Sequence, residues 1–187
     1  MNGTFVAVVG PSGVGKDSLI GFARERLEAS GVIHVVRRVV TRLADGGSED
    51  HDSMDEASFA AAERDGAFAL TWDAHGLRYG LPRALDDDLA AGRVVVANLS
   101  RAMIPALLEL YPDAVVVAVS ADRDVIERRL AGRGRETAAS IQQRIERRVA
   151  DRLPASTVRL DNSGALDVAG MQFVRLLEDI SQQARRA

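Results

Sequence analysis

The 187-residue sequence predicts an α/β fold: a mostly parallel central sheet flanked by helices, with a small α+β insertion. Three observations predict it. Short apolar runs at residues 5–9, 94–97 and 114–119 read as strands buried on both faces. Stretches with helical spacing follow each of them. Between residues 41 and 91 this alternation gives way to shorter, more polar elements.

The first apolar run ends at Gly10, and from Gly10 to Lys16 the spacing is G-x-x-x-x-G-K. Strand, glycine loop and helix in that order make a phosphate-binding P-loop. Glycines let successive backbone N–H groups curl inward as an anion nest. The helix that follows aims its positive end at the same point. Gly10, Pro11, Ser12, Gly13, Val14, Gly15, Lys16, Asp17 and Ser18 are therefore the expected nucleotide-binding residues. Lys16 reaches the β- and γ-phosphates as a flexible point charge. It is the only lysine among 24 basic residues, the others being arginines. Asp17 stands where Ser or Thr usually serves Mg²⁺. Two readings stay open: its carboxylate serves the metal or its waters, or it is an acidic first-turn residue favoured by the helix dipole, with Ser18 or waters serving the metal.

An amphipathic helix spans 19–27, and a Val/Ile-rich second strand spans 32–40. Residues 43–53 are polar and read as a loop. A short helix at 55–64, a strand at 67–72 and an extended piece at 76–80 build the insertion, of about 41–91. Pro82 marks a helix start, with the helix over 83–91. Ser100 reads as the N-cap of a helix running to Tyr111. Helices at 122–130 and 137–149 flank an arginine-glycine stretch, the expected lid of about 131–140. A strand at 158–160, a turn at 161–164 and a helix at 166–184 close one domain, whose core is 1–40 and 92–187.

Composition excludes several classes. The net charge of −3 carries no basic footprint of a nucleic-acid binder. Without cysteines there is no disulfide framework or thiolate metal site. No basic region precedes the first apolar run, and no stretch is long enough to span a bilayer, so a soluble cytoplasmic protein is expected, with no membrane partner. GTPase switches read guanine with Asn-Lys-x-Asp, and the only lysine is already in the loop. ATP-driven machines end a neighbouring strand in an acid, where this chain has Asn98. A small-molecule kinase remains. Its arginines suit an acceptor that is itself a phosphate, because two anions must then be brought together in line.

The loop, Thr41-Arg42, Gly66-x-Phe68, His75-Gly76-x-x-Tyr79-Gly80 and Arg129-Leu130-x-x-Arg133-Gly134 together resemble the guanylate-kinase branch of P-loop kinases. The resemblance breaks where guanine is read. Leu70 and Asn98 replace acids, Leu81 replaces a Ser or Thr, and His51 replaces a tyrosine. Several further stretches resemble the ribose 1,5-bisphosphate phosphokinases of phosphonate breakdown: Gly15-Lys16-Asp17-Ser18, Gly47-x-x-x-His51, Phe68-Ala69-Leu70-x-Trp72-x-Ala74-His75, Asn98-x-Ser100-Arg101 and Arg133-Gly134-Arg135-Glu136. That resemblance implies an ATP- and Mg²⁺-dependent enzyme that makes 5-phosphoribosyl 1-diphosphate. Lys16, Arg133 and Arg135 would be catalytic, and Asp17 would be the metal residue under the first of its two readings. Arg38, Arg42, His51, Tyr79, Asn98, Ser100, Arg101 and Arg144 would hold the acceptor. A nucleoside-monophosphate kinase with an altered base site and a non-catalytic binding module are the alternatives. Oligomeric state is not legible in the sequence.

Overall fold

In a computed structural model, which describes residues 3–42, 51–74, 76–131 and 153–185, the run before the glycine loop is β1 (Thr4–Val9). It lies at the middle of a five-stranded sheet, counted over the described residues. Its neighbours are β7 (Val94–Asn98) and β8 (Val115–Ser120). The edges are β2 (Ile33–Val35) and β9 (Val158–Asp161). The order is β2-β7-β1-β8-β9, and every pairing is parallel.

Alternation along these strands fills two layers. Val6, Val8, Val94, Val96, Val117 and Val119 face α1 (Lys16–Leu27) and α6 (Leu166–Ala184). In α1 the buried positions are Leu19, Ile20, Ala23 and Leu27, the stripe expected of a helix with one core face. Phe5, Ala7, Val9, Val95 and Ala97 face the other way, toward Leu85 of α3 (Leu85–Ala90) and Ile104 and Leu107 of α4 (Ile104–Leu110). Each such valine, leucine, isoleucine or phenylalanine, fully buried, contributes about 1.5–3 kcal/mol. Among the described residues, no helix is long and apolar enough to cross a membrane.

The second layer also holds Leu70, Trp72 and Leu81, which belong to a separate sheet. That sheet has the order β4-β3-β6-β5, from β3 (Arg38–Val40), β4 (His51–Ser53), β5 (Phe68–Ala74) and β6 (Leu77–Pro82). Its helix, α2 (Glu56–Arg64), is capped by Asp55, whose carboxylate accepts from the Ser58 N–H at 2.9 Å. Phe59 of α2 stacks on Phe68 with ring centroids 4.6 Å apart. Gly80 has no side chain because the Phe68 ring occupies that space: a Cβ there would lie 2.6 Å from it.

Four expectations are corrected. Residues 32–40 are not one strand: 33–35 pairs with β7, whereas 38–40 pairs with β4 and β6 and leaves the core sheet. The Val36 N–H still bonds to Val96 O at 2.9 Å. The chain then turns at Arg37, whose guanidinium grips Asp52 at 3.0 Å and the His51 carbonyl at 3.3 Å. Residues 51–53, read as loop, are β4, because backbone pairing with β3 outweighs their polarity. Pro82 does not start a helix; it ends β6 opposite Phe68, where a missing N–H is tolerated, and α3 begins at Leu85. Ser100 has extended backbone, but its side chain caps nothing: a 3-10 turn, Arg101–Met103, intervenes before α4. The helix expected at 137–149, and the lid beyond Ala131, lie outside the described residues.

Candidate active site

The carboxyl ends of β1, β7 and β8 meet at one edge of the sheet, where open α/β sheets bind ligands. The loop leaves β1 there and runs into α1 at Lys16. Val14 anchors it, with its side chain fully buried in the first core layer. Gly15 has φ +93°, a conformation that a side chain would strain. The Val14 carbonyl accepts from Asn162 Nδ2 at 2.8 Å and from Arg129 Nη1, on α5 (Arg123–Ala131), at 3.3 Å. Lys16 Nζ donates to the carbonyls of Gly10 at 2.9 Å and Pro11 at 3.1 Å, which folds the ammonium over the loop. Ser12 and Ser18 are exposed at its rim.

Beside the loop lies a cleft of about 130 Å³, lined by Asp17, Ile20, Gly21 and Arg24 of α1, by Val35, Val36, Arg37 and Arg38, and by Asn98. Asn98, at the end of β7, is buried, and its Nδ2 donates to Asp17 Oδ1 at 2.6 Å. Arg24 and Arg38 against the Asp17 carboxylate give the cleft positive character, while Arg37, also in its lining, is paired with Asp52. Asp17, Arg38 and Asn98, expected at the site, are brought together here. Arg24 is a residue the sequence reading missed. It lies seven positions after Asp17, two helical turns along the same face, and that spacing is the signal that could have found it.

Tyr79 stacks on Trp72 with centroids 5.3 Å apart, and the Arg38 guanidinium lies 5.9 Å from the Tyr79 ring. Arg42 follows β3, where Thr41 Oγ1 accepts from the Arg78 N–H at 2.9 Å and ties β3 to β6. His51 is buried in β4. Ser100 and Arg101 follow β7, past the buried Leu99. Arg42, His51, Tyr79, Ser100 and Arg101 are not among the residues that line the cleft. Arg133, Arg135 and Arg144 lie outside the described residues.

Two arginines that flank Tyr79-Gly80 have structural work. Arg78 binds Glu63 and lies 4.7 Å over the Phe59 ring. Arg83 donates to the carbonyls of Gly66 at 2.8 Å and Phe68 at 2.9 Å. The Thr71 hydroxyl, and then Arg78, hold the Glu63 carboxyl below its ordinary pKa.

Leu70 and Leu81 pair across β5–β6 and are buried with Phe5, Trp72 and Leu85. No family model matches the chain. It is 48% identical over 180 residues to the ribose 1,5-bisphosphate phosphokinase PhnN of Brucella melitensis biotype 2 (strain ATCC 23457), covering 96% of this chain and 94% of that protein. The chain belongs to the ribose 1,5-bisphosphate phosphokinase family. Another member, PhnN of Chelativorans sp. (strain BNC1), is 49% identical over 178 residues, covering 94% of this chain and 85% of that one. The family also occurs fused. A bifunctional ribose 1,5-bisphosphokinase-thymidine phosphorylase of Cupriavidus necator is 46% identical over 94% of this chain, which spans 29% of that protein. Among solved structures, a guanylate kinase from Anaplasma phagocytophilum superposes with a TM-score of 0.68 at 17% identity, over 95% of this chain and 86% of that one. This chain thus shares the guanylate-kinase fold.

Proposed function

We propose that the chain transfers the γ-phosphoryl group of ATP to the 1-phosphate of ribose 1,5-bisphosphate, giving 5-phosphoribosyl 1-diphosphate and ADP in phosphonate breakdown. One observation carries the reading: a lysine-bearing phosphate loop leads directly into a helix that lines an arginine-bearing cleft. An oxygen of the 1-phosphate attacks the γ-phosphorus, the bond to the β-phosphate oxygen breaks, and ADP leaves. The attacking oxygen is already ionised, so no strong base is required, only charge and alignment. The loop N–H groups and Lys16 hold the β- and γ-phosphates. Arg24 and Arg38 offset the charge of the acceptor, and Asn98 faces its sugar hydroxyls. Arg133 and Arg135 act as catalytic arginines, and Arg42, His51, Tyr79, Ser100, Arg101 and Arg144 complete acceptor binding.

The donor set fits Mg²⁺. Among the described residues no group of three acidic or histidine side chains forms a cage. Mg²⁺ is instead usually held by one or two carboxylates and the substrate phosphates. Asp17 lies one residue past Lys16 and has one oxygen taken by Asn98, so its other oxygen serves the metal or its waters. Bound there, the ion supplies neutralisation of the phosphate charge. The reaction proceeds in the cytoplasm.

The test is a competition. Ribose 1,5-bisphosphate and GMP are offered together with ATP and Mg²⁺, and the products are separated by charge. The ribosyl diphosphate is expected as the main product. GDP forming faster would overturn the reading and favour a nucleoside-monophosphate kinase. No turnover of either acceptor would favour a binding module.

A further inference from the structure

We infer that Asn162 is a positioning residue of the phosphate loop, which sets the direction of the Gly15 N–H. The inference rests on the reading that this loop binds ATP. Asn162 follows β9 and is 1% exposed. Its backbone N–H donates to Ser120 O at 2.7 Å, which pins it to the end of β8. From there Nδ2 reaches the Val14 carbonyl at 2.8 Å, across 148 residues of sequence. Chemistry fixes which end of the amide points there, since a flipped amide would set two acceptors against each other.

The consequence follows from the peptide plane. The Val14 carbonyl and the Gly15 N–H belong to one planar trans unit and point in opposite directions. A carbonyl held toward Asn162 turns the Gly15 N–H away from β9, toward the open side of the loop where phosphate oxygens sit. Val14 cannot rotate to escape, because its side chain is fully buried in the core. Position 15 is confined from the same side: a Cβ there would stand 2.5 Å from Asn162 Nδ2. Among the described residues Asn162 Oδ1 is buried with no hydrogen-bond partner. The buried Nδ2–Val14 bond ties the end of β9 to the loop and at the same time fixes the direction of the loop N–H.

The experiment compares Asn162→Asp, which keeps the shape and replaces the donor with an acceptor, Asn162→Ala, and Ser163→Ala. Ser163 Oγ accepts from the Asp122 N–H at 2.8 Å, so its loss loosens the same turn without touching the loop. Calorimetry with Mg·ATP alone gives the nucleotide affinity, and steady-state rates give KM for each substrate. Both Asn162 variants are expected to lose ATP affinity about tenfold or more, with acceptor KM unchanged. Ser163→Ala is expected to keep wild-type ATP affinity whatever its melting temperature. Asn162 variants that bind ATP within about twofold of wild type, with activity falling only in step with the folded fraction, would overturn the inference. So would failure of both to fold, which would make Asn162 a packing residue. A wild-type chain that does not bind ATP is a separate result and overturns the functional reading itself.

Discussion

Leu81→Ser places in this chain the kind of residue that guanylate kinases carry after Tyr-Gly. By sequence alone the change looks like the restoration of a base reader. The structure predicts a hole in the core. Leu81 is 0% exposed and lies in the cluster that joins β5 and β6 to the main sheet, with Phe5, Leu70, Trp72 and Leu85. Cutting back a buried leucine costs about 3–5 kcal/mol in a core that cannot collapse around the cavity. A hydroxyl left there without a partner adds about 1–3 kcal/mol. Against a total stability of about 5–15 kcal/mol, the variant is left marginal. At about 2–4 °C per kcal/mol for a chain of this size, a loss of about 4 kcal/mol lowers the melting temperature by about 8–16 °C. Leu81→Met, which conserves volume, should cost less than about 1.5 kcal/mol. Thermal melts of the three proteins read the stability, and a GMP assay reads the acceptor. A Leu81→Ser protein that melts within about 2 °C of wild type, equivalent to about 1 kcal/mol or less, would refute the packing argument. Appreciable GDP formation by that variant would refute the assignment of position 81 to the core rather than to the site.

Lys16→Ala should cut turnover by at least about 10²–10³ while circular dichroism stays native, because the side chain binds carbonyls of the loop and belongs to neither core layer. Asn98→Ala removes the donor to Asp17 and should raise the acceptor KM about tenfold or more with ATP KM unchanged, as steady-state titrations of each substrate will read. Asp17→Asn should shift the Mg²⁺ titration of activity to higher concentration, whereas an unchanged titration would leave Asp17 as an acidic first-turn residue favoured by the helix dipole. Glu63 titrates in the fold below the ordinary glutamate value of about 4.3. Its contribution is therefore full at neutral pH and fades as pH falls through that lowered value. Urea midpoints measured across the acid range should show Glu63→Gln less stable than wild type at pH 7, with the difference closing in acid.

The phosphate loop is legible in the sequence because its chemistry is local. Gly10, Gly15 and Lys16 meet the same ligand through adjacent backbone, so spacing alone identifies them. The central strands are legible for a similar reason, since burial on both faces leaves continuous apolar runs such as 94–97. The split of 32–40 is not. Two strands of one apolar run look alike until their partners are known, and only the grip of Arg37 on Asp52 shows where the chain changes sheets. Arginine type was equally silent about role. Arg24 and Arg38 line the cleft, while Arg78 and Arg83 hold the insertion together, and the difference lies in partners distant in sequence. Asn162 read as a turn residue because its contact with Val14 is purely tertiary.

The central position of β1 also governs how the chain must assemble. Val6 pairs with Val96 on one side and with Val115 on the other. During synthesis at about 5–20 residues per second, the first of these partners follows β1 by about 5–20 s. Throughout that interval the apolar strand beneath the loop has no neighbour from its own sheet. The intervening residues 38–82, by contrast, can close the antiparallel pairings of β3, β5 and β6 as soon as they emerge. Long-range parallel pairing is intrinsically slow. The pairings that hold β1, and with it the glycine loop, therefore form after those of the second sheet. A ribosome-bound fragment ending before Val94 would close the pairings of the second sheet while keeping β1 as an unpaired, aggregation-prone segment.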